Sequence, residues 1–171
     1  GRRVLHYQVG VFNGQGINMK DVDNRKDVIG GIWLMPVSGM RIGAFGWTGS
    51  YARTGTWTEN GETVSGTRTV SRNRYAISGE YVKDDWTFRS EYIHSQGYGF
   101  STTYQKDGQQ KDCTINTGAG DKADGLYALL IAPVKKNKVH LKARYDMYRP
   151  KAEWSTAKTQ YEIGADYCLG K

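Results

Sequence analysis

Eight stretches of this chain alternate apolar and polar residues at a period of two, and the segments between them alternate long polar runs with short turns. The seventh stretch is the clearest. Val139, Leu141, Ala143, Tyr145 and Met147 fall on one side of an extended strand, and His140, Lys142, Arg144, Asp146 and Tyr148 fall on the other. A period of two is a strand's period, so the chain is expected to be all-β, with each strand presenting two chemically different faces.

Composition fits that class without deciding the solvent. Twelve tyrosines, five tryptophans and 22 glycines against three prolines favour strands and turns. Mean hydropathy is −0.66, but when only alternate residues face lipid, a spanning strand carries a weak hydropathy signal. No charge-free run reaches the ~20 residues a spanning helix needs. The best, residues 28–40, contains Pro36 and adjacent glycines, so membrane helices are excluded. The net charge of +7 is scattered over loops, turns and strand faces rather than gathered in one stripe, which argues against nucleic acid as a partner. Cys113 falls in a long loop and Cys168 near the opposite end, too far apart for a bridge needing Cα atoms within ~7 Å; two free thiols are expected. The chain opens Gly1-Arg2-Arg3 without a signal peptide and ends on Cys168-Leu169-Gly170-Lys171 after Tyr167, so it is expected to be one segment of a longer protein, lacking an N-terminal half and some last strands.

Strand by strand, residues 5–12 put Leu5, Tyr7, Val9 and Val11 against His6, Gln8 and Gly10, and stop at Asn13-Gly14. A polar loop runs to about residue 26. Residues 28–35 are apolar on both faces, so their register is open, and residues 36–39 turn. Residues 41–51 are glycine-rich, with Phe45 and Trp47 sharing the parity of Arg41, which leaves that strand's orientation open too. A Thr/Gly/Arg-rich loop is expected from about residue 52 to 72. The fourth strand sets Tyr75, Ile77, Gly79 and Tyr81 against Arg74, Ala76, Ser78 and Glu80; after a turn at residues 83–85, the fifth sets Trp86, Phe88, Ser90 and Tyr92 against Thr87, Arg89 and Glu91. The longest loop follows, about residues 97–123. Residues 125–134 are again apolar on both faces, residues 133–138 turn, and residues 149–159 form the last loop. The eighth strand sets Tyr161, Ile163, Ala165 and Tyr167 against Gln160, Glu162, Gly164 and Asp166.

Long loops alternating with short turns are the pattern of an antiparallel up-and-down transmembrane β-barrel, with long loops outside and short turns in the periplasm. The aromatic residues agree: Tyr81, Trp86 and Tyr167 fall at the turn end and Tyr75, Tyr98 and Tyr161 at the loop end, as interfacial belts would. On that reading the apolar side meets outer-membrane lipid. The polar side, with Arg74, Arg89, Lys142, Arg144, Glu91, Asp146, Glu162 and Asp166, lines water. Arg41 joins them if its strand takes that orientation, and Glu80 stands with the acids. A Lys or Arg on the lipid side at mid-membrane would cost about 2–4 kcal/mol, which fixes the orientation of these cations. Cation and carboxylate pairs such as Arg89 with Glu91, or Arg144 with Asp146, equally well satisfy one another across a wall.

Five strings occur in order along the chain: Tyr7-Gln8-Val9-Gly10-Val11-Phe12-Asn13-Gly14, Met40-Arg41-Ile42-Gly43-Ala44, Glu91-Tyr92-Ile93, Ala143-Arg144-Tyr145-Asp146, and residues 161–167. Together they resemble the phosphate-selective porin O and P family, over roughly its C-terminal half. The resemblance implies a bacterial outer-membrane barrel of 16–18 strands, of which these are eight, usually a homotrimer, passing phosphate-like inorganic anions or small polar solutes by diffusion. In that family the basic ladder and inward-folded loop that select the anion come largely from the N-terminal half, so no binding residue is carried over.

No catalytic chemistry is legible. His6, His94 and His140 lack metal-ligand spacing or a partnered nucleophile, and Gly14-Gln15-Gly16 lacks the Lys-Ser/Thr pair and helix of a phosphate-cradling loop. No enzyme, cofactor or metal is expected. Two rival readings are a complete eight-stranded structural barrel filled by side chains and a soluble lipocalin-like ligand-binding barrel with its apolar face inward.

Overall fold

The computed structural model describes residues 4–15, 21–102, 112–136 and 138–169. Gly1-Arg2-Arg3, Gly16 and Gly170-Lys171, on which expectations above touch, lie outside the described residues. Eight strands form one antiparallel sheet in sequence order: β1 (Leu5–Asn13), β2 (Lys26–Leu34), β3 (Met40–Glu59), β4 (Glu62–Lys83), β5 (Trp86–Gln96), β6 (Lys122–Lys135), β7 (Val139–Arg149) and β8 (Lys158–Tyr167). The only described helix is two single 3₁₀ turns, Thr117–Ala119 and Trp154–Thr156. The expected all-β up-and-down order is therefore present. The ring is not closed, because β1 pairs with β2 alone and β8 with β7 alone.

Two boundaries differ from expectation. Residues 52–72 are not a loop: β3 and β4 continue in register from Gly49↔Arg72 to Glu59↔Glu62, around a two-residue turn at Asn60-Gly61. Both turn residues have positive φ, 52° and 86°, the type I′ geometry whose twist matches the flanking strands. The alternating threonines sustain the ladder, Thr54 and Thr67 meeting hydroxyl to hydroxyl at 2.9 Å. Since β2 pairs with β3 only as far as Thr48, and β5 with β4 only as far as Asn73, this ribbon projects beyond the sheet as an arm about 35 Å long. The second difference is Pro133, expected in a turn but paired to His140 in β6, with the register slipping between Pro133 and Lys135. A bulge is where a strand tolerates a residue without an N–H.

The register decides what pattern alone left open. Paired residues share a face, and one row runs across the whole sheet: Leu5, Leu34, Ile42, Gly79, Ser90, Ala128, Tyr145, Tyr161. Val28, Gly30, Ile32 and Leu34 of β2, Ile42, Ala44 and Gly46 of β3, and Leu126, Ala128 and Leu130 of β6 thus join the apolar sides of the other five strands. Phe45 and Trp47 lie with Arg41 on the polar side. The apolar face carries no charge across its middle. Its charged residues stand at strand ends, where buried Asp124 accepts from Arg149 Nε at 2.7 Å and from the Tyr92 hydroxyl at 2.9 Å.

No described residue packs over that face. Ile77 is 56% exposed, Leu141 51% and Ile163 90%. The chain exposes 11953 Å², where a compact soluble protein of 19.2 kDa would expose about 8,400 Å². The excess reflects an open sheet and a projecting arm rather than a closed globule. Val139 to Met147 rise about 27 Å along β7, about 21 Å vertically at a 40° tilt, near the ~25 Å apolar band of an outer-membrane barrel.

Candidate functional site

The polar face is the place where the sheet could do chemistry. Arg74, Arg89, Glu91, Lys142, Arg144, Asp146, Glu162 and Asp166 all lie on it by register. Most of the cations there are matched. Arg89 meets Glu80 across the ladder at 2.5 Å, Lys142 meets Asp166 at 2.6 Å, and Arg144 holds Asp146, two residues along its own strand, through Nε at 2.6 Å and Nη2 at 2.8 Å. Of the pairings weighed from sequence, Arg144 with Asp146 forms, while Arg89 takes Glu80 rather than Glu91. Exposed pairs of this kind each contribute under about 1 kcal/mol, so they organise the wall more than they stabilise it.

A different arrangement holds toward the loop end, which the sequence reading placed in a loop. Arg53, Arg68, Arg72 and Arg74 share the polar-side parity of β3 and β4, and Arg53 stands directly opposite Arg68. Each guanidinium lies over an aromatic ring rather than against a carboxylate: Arg53 over Phe100 at 4.8 Å, Arg68 over Trp57 at 5.1 Å, Arg72 over Tyr51 at 4.4 Å and Arg74 over Trp47 at 4.4 Å. Ring quadrupoles hold a cation without neutralising it. Burial, and then the charge of Arg74 beside it, pulls the Arg72 guanidinium below its ordinary value. Arg41 repeats the motif at the turn end, 5.5 Å over Trp33, whose ring also meets His6 edge-on at 5.3 Å.

A two-stranded ribbon alone is marginal in water, and the chain buttresses this one from both sides. The segment after β5 crosses the arm's polar side and reaches the outer edge of β3, where Cys113 N–H donates to Thr56 O at 2.7 Å. Val70, Phe100 and fully buried Cys113, flanked by Tyr51, Trp57 and Ile115, make a small apolar core there. Arg53 donates to the carbonyls of Thr102 and Asp112 and so ties the segment down. Asp112 accepts from Thr114 N–H and the Thr102 hydroxyl, both at 2.8 Å; these bonds, the Thr114 ones foremost, hold its carboxyl below the usual range. On the opposite side Asp23 accepts from the Ser50 and Thr69 hydroxyls. At the arm's base Asp27, 3% exposed, accepts from Trp47 Nε1 at 2.8 Å and Ser50 N–H at 2.9 Å. It fits only because residue 49 is glycine: a Cβ there would stand 1.9 Å from its Oδ1.

At the turn end, the histidine read as a plain wall residue has company. His140 Nδ1 lies 2.7 Å from Asp166 Oδ1, and Cys168 follows on the same side of the strand. The sequence signal for both clusters is parity carried across strands, which spacing along one strand does not display. Cys113 is buried, its thiol donating to Arg53 O at 3.3 Å, and Cys168 is exposed. No helix among the described residues is long and apolar enough to cross a membrane, which leaves crossing by strands untouched. Comparison with protein-family models, curated proteins and solved structures returns no match to the chain.

Proposed function

We propose that this chain is part of the wall of a bacterial outer-membrane porin, a water-filled channel for passive diffusion of anions or small polar solutes. One observation carries the reading: the register joins the apolar sides of all eight strands into a single exposed, charge-free band and the ionic sides into the opposite face. Lipid is the solvent that such a band needs, and water the solvent its reverse needs. The two unpaired edges, β1 and β8, favour a wall continued by further strands over a complete eight-stranded barrel. That fits the 16–18 strands and the trimer the porin O and P resemblance implies. Anion preference draws on that resemblance and on the ring-stacked Arg72 and Arg74 at and just below the arm's base, while the matched pairs lower on the wall contribute little net field.

The test is to partition the full-length gene product that contains this chain between detergent and water, and then record it in a planar bilayer under a salt gradient. Detergent dependence, stepwise conductance and a reversal potential of the anion-permeable sign are expected. A protein that stays monomeric in water, as the lipocalin-like rival would, or inserts without conducting, as a structural barrel would, overturns the reading.

A further inference from the structure

The β7–β8 ladder sets His140 directly opposite Asp166, and Cys168, two residues on from Asp166, points to the same side. The Cys168 N–H donates to Lys138 O at 2.7 Å, extending the ladder one step past β8 and fixing the thiol's place. A ring nitrogen of His140, a carboxylate oxygen of Asp166 and the Cys168 sulfur lie within 4.8 Å of one another; His140 and Asp166 are half-buried and Cys168 is exposed.

We propose that His140, Asp166 and Cys168 form a binding site for a divalent cation of the zinc class at the turn end of the polar face, with a fourth position open to water. The donor set selects the ion. Thiolate with imidazole suits zinc, whereas magnesium and calcium take all-oxygen shells. In a tetrahedral site with bonds of about 2.0–2.3 Å the ligand atoms stand about 3.3–3.6 Å apart, so side-chain rotations of about an ångström close it without moving the ladder. Binding releases the thiol proton to solvent, and thiolate plus carboxylate then balance the ion's two charges. Lys142 competes, since its Nζ lies 2.6 Å from the second Asp166 oxygen; the site is therefore one the cation takes from an existing ion pair.

The test uses the full chain refolded in detergent, titrated with Co²⁺ and then Zn²⁺. Cobalt should give a thiolate charge-transfer band that zinc displaces, and zinc should slow maleimide alkylation of Cys168 at least tenfold; Cys113, being buried, does not report. Cys168→Ser should abolish the band, while His140→Ala and Asp166→Asn should each weaken zinc binding at least tenfold. Lys142→Met should tighten it several-fold by freeing the carboxylate. Circular dichroism and detergent-resistant mobility establish that each variant is folded. Absence of the band in folded protein, or protection of Cys168 that persists unchanged in both His140→Ala and Asp166→Asn, overturns the proposal.

Discussion

The sheet and the arm that rises from it are made of the same alternating strands, yet they meet opposite demands. In the sheet, side chains as apolar as Ile77, Leu141 and Ile163 stand exposed and no described residue packs over them. In the arm, two strands of that same ladder carry Val70 at 6% exposure, with Phe100 at 6% and Cys113 at 0% packed over them. The sheet leaves its hydrophobic face for a surrounding phase. The arm is covered on its other, polar-parity side, where the segment after β5 packs over Val70. On the proposed porin reading, this small core lies on the water-facing side of the wall, beyond the end of the sheet.

The sharpest way to break the comparison is to put one charge on each side of a single strand. Ile77→Lys, on the apolar face, should destabilise the protein in lipid vesicles by about 2–4 kcal/mol, while Ser78→Lys, its neighbour on the polar face, should change stability by under about 0.5 kcal/mol. Urea titration of vesicle-folded protein measures both. Equal costs would mean that the two faces see the same solvent.

Phe100→Ala asks the complementary question of the arm. Removing the ring should cost its small core about 3 kcal/mol and release the Arg53 and Cys113 contacts. Hydrogen exchange should then accelerate in residues 49–72 and 112–116 and stay unchanged in the in-sheet part of β7. Loss of protection throughout would show that arm and sheet are one cooperative unit.

How far the sequence displays this division depends on which signal each part uses. Five strands declare their faces by simple alternation, and for these a reading by eye and the register agree. In β2, β3 and β6 both parities are apolar, because Trp33, Phe45, Trp47, Tyr127 and Leu129 occupy the ionic side, three of these rings beneath arginines. Only pairing to a neighbour resolves such strands. The arm is hidden for another reason: threonine, glycine and arginine read as loop, although Asn60-Gly61 between alternating threonines is itself a hairpin signal. With the arm read as loop, Arg53, Arg68 and Arg72 fall out of the candidate site, and only Arg74 remains of the ring-stacked set. His140, Asp166 and Cys168 are separated by up to 28 residues and meet only through the pleat.

The turn itself gives a smaller effect. Gly61 holds φ at 86°, where a Cβ is penalised, and open space surrounds it. Gly61→Ala should therefore act through backbone strain alone and destabilise the arm by about 1 kcal/mol. Exchange should quicken at the tip, with conductance and the sheet's midpoint unaltered.

The gentlest lever is pH, acting on Asp112 outside the sheet. Its carboxyl is held below the usual value by hydrogen bonds that only the ionised form accepts fully, so the folded arm binds its proton less readily than the unfolded chain does. That contribution is complete above the ordinary carboxylate pKa of about 3.9 and is lost as pH falls through the lower, folded value. Between pH 7 and 5 the arm should therefore be indifferent. Below about pH 4 the Thr102 and Thr114 contacts should loosen and exchange in residues 112–116 should rise, while the apolar band, which carries no carboxylate across its middle, holds. Asp112→Asn should remove this acid sensitivity and leave the arm at pH 7 as loose as the parent is in acid. If instead the apolar-faced strands of the sheet loosen first on acidification, charge rather than the proposed lipid contact is what secures them, and the division of labour fails.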